Sequence, residues 1–146
     1  MSMLGTNQPL LAIGDTDGLI AILHEEDKNF RKAKETIAKL LQNDAQVIFP
    51  LTTIAETVTT LKRKLNQPEL AAKVIKQITS SVLAIEDTDT KLLKSALLFF
   101  DPKGSKQNTL FDAIVAATAK KLNTKIIFSF DRWYEKLGFK LAYNLF

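Results

Sequence analysis

The sequence predicts an α/β protein with a three-layer α/β/α arrangement around a central, mostly parallel sheet of four or five strands. Short apolar runs, rich in β-branched and aromatic residues, alternate along the whole chain with longer segments of helical periodicity. The apolar runs are continuous and do not alternate with polar residues, as expected of parallel strands that helices cover on both faces. An all-α arrangement explains these short runs less well.

Four apolar runs are predicted to be buried strands, and a fifth to be an edge strand. The four runs cover residues 10–14, 47–50, 82–85 and 125–130, and the edge strand covers residues 139–143. Because helical segments separate the strands, the connections are expected to be right-handed βαβ units.

The helical segments are identified by apolar residues that recur on one face and by their end signals. They cover residues 27–43, 51–65, 68–80, 89–100 and 108–123. Pro68 is well placed to begin the third of these, because proline is favoured at the first position of a helix. Residues 101–105 contain proline, glycine and serine and are predicted to form a loop.

The composition predicts a single domain spanning residues 1–146, with residues 1–8 as a flexible N-terminus. The chain has no cysteine and only one histidine, His24, which excludes disulfides and thiolate zinc sites and nearly excludes histidine-based acid–base chemistry. No apolar run reaches the roughly 20 residues that span a membrane, and no secretory signal is recognisable, so a cytoplasmic protein is expected.

The net charge of +4 is compatible with a polyanionic partner. The basic residues at 62–64 are explained either as a solvated helix face or as phosphate contacts that flank an acidic pocket.

Four acids lie where predicted strands give way to helices, or near the start of a helix: Asp15, Glu56, Asp112 and Asp131. The carboxyl ends of parallel strands share one edge of a sheet, and ligands of open α/β folds bind at that edge. Carboxylates gathered there repel one another unless a cation lies between them. They therefore predict a site for a hard metal ion, which in turn indicates phosphate chemistry.

Helix capping is the competing explanation for each acid taken alone. Asp15 is a favourable N-cap residue, and Asp131 is placed to cap the turn before Trp133. Glu56 and Asp112 each follow a threonine by three residues, which is the spacing of a capping box. Capping and metal binding are compatible, since the helix dipole stabilises an ionised carboxylate in the first turn.

Three polar residues close to the acids in sequence, Thr16, Asn108 and Ser129, are predicted to support the site by orienting a ligand or water. Asp17 is assigned only a supporting or surface position. Trp133 and Tyr134 are expected to pack against the end of the sheet.

The order and context of the four acids resemble a PIN-domain ribonuclease of the VapC toxin type. The matching segments are residues 11–23, 53–58, 112–122 and 126–131, and the resemblance extends over residues 9–143. Ser129 stands where threonine is commoner, and Gly18 stands where an apolar residue is usual. Neither departure removes a carboxylate.

The resemblance implies that Asp15, Glu56, Asp112 and Asp131 are the catalytic residues and hold Mg²⁺ or Mn²⁺. It implies hydrolysis of RNA to a product with a 5′ phosphate and a possible role as the toxin of a toxin–antitoxin pair with a protein antitoxin. A homodimer is also expected, through helical surfaces such as residues 51–65, and the lack of a long apolar run predicts no membrane contact.

Two other interpretations remain open. The segment from Asp15 to Gly18 looks like the motif of haloacid-dehalogenase-type phosphatases, with Asp15 as nucleophile and Asp17 as general acid, but this leaves Glu56 and Asp112 without a role. Alternatively, the chain is a PIN-like module that acts mainly through a protein partner and has little activity.

Overall fold

The sheet has five parallel strands. A computed structural model describes residues 9–146, so the predicted flexible N-terminus, residues 1–8, lies outside the described part. The strands are β1 (Leu11–Gly14), β2 (Gln46–Pro50), β3 (Ile85–Glu86), β4 (Ile126–Phe128) and β5 (Lys140–Leu141). Their order is β3-β2-β1-β4-β5, and every neighbouring pair is parallel. The predicted fold class is therefore confirmed, with β1 at the centre.

Helices connect the strands. They are α1 (Thr16–Leu23), α2 (Phe30–Gln42), α3 (Leu51–Thr59), α4 (Pro68–Thr79), α5 (Thr90–Ala96), α6 (Leu110–Lys121) and α7 (Trp133–Lys136). A π-helical turn, Thr60–Lys64, continues α3 directly, and 3-10 turns cover Leu97–Phe99 and Ala142–Asn144. As predicted, Pro68 is the first residue of its helix. The short α7 was not predicted.

Alternate residues of the strands supply the two cores of the sandwich. Ile13 and Ile127 pack with Val115 of α6 on one face of the sheet. Ala12 and Phe128, their neighbours in sequence, pack with Leu40 of α2 on the other face. This alternation follows from the two-residue period of a strand, and it completes the three layers.

The predicted third, fourth and fifth strands are longer than the observed ones; the fourth, predicted over residues 125–130, covers only Ile126–Phe128. Residues 82–84 do not belong to β3, because the chain is still leaving α4 at that point. Ser81 has a left-handed φ of 60°, and Val82 is 69% exposed. The predicted edge strand over residues 139–143 shortens to Lys140–Leu141 and then turns into a 3-10 segment.

The carboxyl ends of β1 and β4 meet beneath the start of α1. Gly14 pairs with Phe128, and the N–H of Asp15 donates to the Phe128 carbonyl over 3.1 Å. A Cβ on Gly18 would lie 2.5 Å from that carbonyl oxygen, so the close approach of α1 to β4 requires glycine there. None of the helices in the described region combines the length and the apolar character needed to cross a membrane.

Candidate active site

Asp15 lies at the end of the central strand and is 4% exposed. It is the N-cap of α1, as predicted, and its Oδ1 accepts a hydrogen bond from the Thr16 N–H over 2.7 Å. Its Oδ2 accepts a hydrogen bond from the Tyr134 hydroxyl, also over 2.7 Å. Burial raises the pKa of Asp15 well above its usual range, the charges of Asp17 and Asp112 raise it further, and the two hydrogen bonds oppose the rise.

Glu56 joins the site from α3. This helix begins at Leu51, with Pro50 as its N-cap, so Glu56 lies in the second turn and the predicted capping box with Thr53 is wrong. Instead, the hydroxyl of Thr16 donates a hydrogen bond to Glu56 Oε1. This contact joins the first turn of α1 to α3 and brings Glu56 to the end of β1.

Asp112 interacts electrostatically with the four other acids of the cluster. It lies in the first turn of α6, where its Oδ2 accepts a hydrogen bond from the Thr109 N–H over 2.8 Å in the predicted capping box. Burial raises the pKa of Asp112 to about 6; the Thr109 hydrogen bond opposes the rise, and the charges of Asp131, Glu56 and Asp17 add to it. Asp112 therefore caps α6 and at the same time belongs to the acidic cluster.

Asp131 follows β4 and is oriented by its neighbours. Its Oδ1 accepts from the Trp133 N–H over 2.9 Å, which is the predicted turn cap, and its Oδ2 accepts from Asn108 Nδ2 over 3.2 Å. Its own N–H donates to Ser129 Oγ over 3.0 Å. The structure therefore places Asn108 and Ser129, like Thr16, in direct contact with the predicted acids.

Asp17 is the acid to which the sequence interpretation gave too little weight. It is not a surface residue: its Oδ2 accepts from Ser129 Oγ and from the Phe130 N–H, over 3.1 and 2.8 Å. Its Oδ1 is buried and has no hydrogen-bond partner among the described residues. Burial raises the pKa of Asp17, the two hydrogen bonds and the nearby Gly18 N–H lower it, and the charge of Asp131 raises it.

Tyr134 was also missed as a site residue. It packs against the sheet as expected, yet its hydroxyl reaches Asp15 across 119 positions of sequence, and no sequence signal indicates such a contact. For Asp17 a signal was available, since it is a second acid in the first turn of the helix that Asp15 caps.

The cluster as a whole is a set of mutually repelling carboxylates at one edge of the sheet. Within residues 9–146, no three of the acidic side chains already lie in the arrangement of a metal-binding group. Several of their oxygens instead accept hydrogen bonds from the protein. Repulsion of this kind favours either proton uptake or a bound cation, and carboxylate oxygens are the ligands preferred by Mg²⁺ and Mn²⁺.

Comparison with known proteins gives three results. The PIN domain family model matches residues 12–140. No curated protein matches the chain. The crystal structure of VapC20 from Mycobacterium tuberculosis, described as a toxin that cleaves the sarcin–ricin loop, superposes with a TM-score of 0.76 at 20% sequence identity. That match covers 89% of this chain and 96% of VapC20, so the two proteins share a fold.

Proposed function

The chain belongs to the PIN domain family, and from this premise we propose that it is a metal-dependent endoribonuclease whose site is formed by Asp15, Glu56, Asp112 and Asp131. The convergence of the acids from β1, α3, α6 and the end of β4 is the observation that carries the proposal. Burial, and then the charges of neighbouring acids, disfavour the ionised form of Asp112, and a bound divalent cation would relieve both effects.

The residues fit such an ion. Asp15, Glu56 and Asp112 are proposed to hold Mg²⁺ or Mn²⁺ directly or through water, and Asp131 completes the pocket. The buried Oδ1 of Asp17 supports this assignment, because an oxygen without a partner among the described residues is free to accept a ligand. When bound, a divalent ion supplies Lewis-acid chemistry, lowering the pKa of water and neutralising charge on phosphate oxygens.

The side chains around the acids are proposed to orient the reaction. Thr16 restrains one oxygen of Glu56 and leaves the other available. Asp131 is held through both oxygens, by the Trp133 N–H and by Asn108. Asp131 is proposed to position the attacking water for in-line displacement at the phosphodiester. In the absence of cysteine, and with His24 as the only histidine, carboxylates are the groups in this site suited to take up a proton.

RNA is proposed as the substrate, since VapC20, whose fold the chain shares, is described as cleaving the sarcin–ricin loop. An open groove lined by Thr59, Thr60, Arg63 and Lys64 follows Glu56 along the same helix and its π-helical continuation. Glu56 and Thr60 are four residues apart, about 6 Å along a helix axis, so the groove begins next to the acids. Its cations and hydroxyls suit a phosphate backbone.

Asp112→Asn is the direct test. The substitution keeps the size of the side chain and an acceptor for the Thr109 N–H, so the fold is expected to remain intact while Mn²⁺-dependent RNA cleavage falls by more than about a hundredfold. Asp87→Asn, at an exposed position outside the cluster, is the matched control. Full cleavage by Asp112→Asn, or by the wild-type chain in a chelator, excludes the proposal.

A role as the toxin of a toxin–antitoxin pair is part of the same proposal. Phe111 is exposed in α6 next to Asp112, and Leu97 and Leu98 are exposed in the 3-10 turn that packs against α6. These apolar side chains suit an antitoxin that covers the acidic site. A small open reading frame next to the gene and co-purification of its product test this role. Neither the family match nor VapC20 supports the phosphatase or the inactive binding module. The homodimer stays a prediction.

A further inference from the structure

Tyr134 lies beneath Asp15 and is the one aromatic side chain that hydrogen-bonds to an acid of the cluster in the described part of the chain. Its hydroxyl donates to Asp15 Oδ2 over 2.7 Å, and the tyrosine is 0% exposed. Both partners are buried, so neither can exchange this hydrogen bond for one to water. A buried contact of this kind constrains geometry more strongly than the same contact at the surface.

The phenol ring is fixed by its surroundings. Tyr134 packs among Ile13, Val115 and Ile127 in the core between the sheet and α6. The Trp133 ring lies edge-on to it, with the ring centroids 5.1 Å apart. A tyrosine side chain has only two rotatable torsions before its hydroxyl, so a packed ring fixes the position of the oxygen.

The Asp15 carboxylate therefore has a donor on each oxygen. The backbone N–H of Thr16 donates to Oδ1, and the Tyr134 hydroxyl donates to Oδ2. An ionised carboxylate only accepts, which fixes the phenol as the donor. Two donors on separate oxygens define the plane of the carboxylate and leave one lone pair or more on each oxygen for a further ligand.

We propose that Tyr134 is a positioning residue that sets the orientation of Asp15 for binding a divalent cation. This inference rests on the proposed function of the acidic site. Tyr134 would act on a bound ion only through Asp15. It also belongs to the short segment that carries Asp131, because α7 begins directly after the Asp131 turn. One segment therefore orients two acids of the site.

Tyr134→Phe is the variant that tests this role. It removes a single oxygen and keeps the ring in the core. Mn²⁺ binding, measured by calorimetry in the absence of RNA, is expected to weaken about 10- to 100-fold, the range for losing a residue that orients a metal ligand. Tyr143→Phe is the matched control, because the other tyrosine stacks on Phe130, with centroids 5.3 Å apart, and is expected to keep wild-type affinity.

If Tyr134 only fills the hydrophobic core, the titration gives a different result. Equal Mn²⁺ affinity of wild type and Tyr134→Phe, with both chains folded by circular dichroism, overturns the inference. If Tyr134→Phe does not fold, a Tyr143→Phe chain carrying 3-fluorotyrosine at position 134 replaces it. This chain keeps the ring and makes the phenol a stronger donor, so a change in Mn²⁺ affinity is expected, and an unchanged affinity overturns the inference.

The same titration separates this inference from the proposed function. If the wild-type chain does not bind Mn²⁺, or Asp112→Asn binds it equally well, the metal site itself is wrong. If the wild type binds, Asp112→Asn does not and Tyr134→Phe binds normally, only the positioning role is wrong.

Discussion

Ser129 Oγ donates a hydrogen bond to Oδ2 of Asp17 over 3.1 Å, and the Phe130 N–H donates to the same oxygen over 2.8 Å. One carboxylate oxygen thus joins the first turn of α1 to the segment that follows β4. The other oxygen of Asp17 is buried without a partner among the described residues. Asp17 therefore combines a structural contact with a free acceptor inside the acidic cluster.

Asp17→Asn separates these two roles. The amide oxygen keeps the acceptor for Ser129 and Phe130, whereas the negative charge is lost. The metal-free protein is expected to be as stable as the wild type or more stable at pH 7.5, because repulsion with Asp15 and Asp131 disappears. Mn²⁺ affinity is expected to fall about tenfold. Urea unfolding and calorimetric titration measure the two effects.

The surface variant Asp87→Asn serves again as the control, since it removes a carboxylate from an exposed position. A purely structural Asp17 would leave Mn²⁺ affinity of Asp17→Asn at the wild-type value. A marked loss of stability without metal would instead show that the carboxylate charge itself is needed for the contact with β4.

Gly18→Ala is expected to destabilise the fold by about 1–3 kcal/mol, although alanine is the better helix former. The added Cβ would lie 2.5 Å from the Phe128 carbonyl oxygen, a backbone atom of the central sheet that has little freedom to move. Gly104→Ala is the control, because its Cβ would meet the nearest atom at 3.2 Å in an exposed loop. Chemical denaturation compares the two. A Gly18→Ala chain as stable as the wild type would contradict the close approach of α1 to β4.

Removing both cations of the groove that follows Glu56, by Arg63→Ala with Lys64→Ala, is expected to weaken RNA binding. The slope of log affinity against log salt concentration is expected to become less steep by about 1–2, the change that the loss of two phosphate contacts produces. The paired control is Lys73→Ala with Lys76→Ala, which removes equal charge from the exposed face of α4. Equal salt dependence of the two double variants would place the RNA elsewhere.

Most of the architecture followed from simple patterns, whereas the assignment of the four acids to one metal site stays a prediction. Continuous apolar runs separated by helices require a parallel sheet, and a parallel sheet brings its carboxyl ends to one edge. The identity of the acids at that edge was therefore readable from the positions of Asp15, Asp112 and Asp131 relative to their strands and helices. Glu56 lies close enough to act on the charge of Asp112, but the capping box that its spacing with Thr53 suggested is wrong.

The remaining features depend on contacts that local sequence does not encode. The contact of Tyr134 with Asp15 requires α7 to fold back under β1, and α7 has only four residues, too few for a periodic pattern. The Asp17 side chain is held by a hydrogen bond from the backbone N–H of Phe130, which lies 113 positions away in the sequence. The bounds of β3 depend on the left-handed turn at Ser81, where no glycine marks the position.

Stability of the metal-free protein is expected to rise as the pH falls from 7.5 to 5. Burial raises the pKa of Asp15 and Asp17, and that of Asp112 from 3.8 to about 6. Because these pKa values are higher in the folded state, folding takes up protons as the pH falls through about 6. The gain is complete below the unfolded value of 3.8 and is lost as the pH rises through the folded value.

The raised pKa of Asp112 sets the expected size of this pH effect, and the Asp112→Asn variant tests it. The rise in its pKa corresponds to roughly 3 kcal/mol at full strength, and solvent screening reduces this to about 1 kcal/mol, or about 2–5 °C in melting temperature. Thermal unfolding in a chelator at pH 5 and 7.5 measures the difference, which is expected to shrink in Asp112→Asn. Saturating Mn²⁺ should raise stability mainly at pH 7.5, since metal and protons compete for the same carboxylates. A melting temperature that falls between pH 7.5 and 5 in the wild type, or an equal effect of Mn²⁺ at both pH values, would contradict the burial and mutual repulsion of these carboxylates as the properties that prepare this site for a cation.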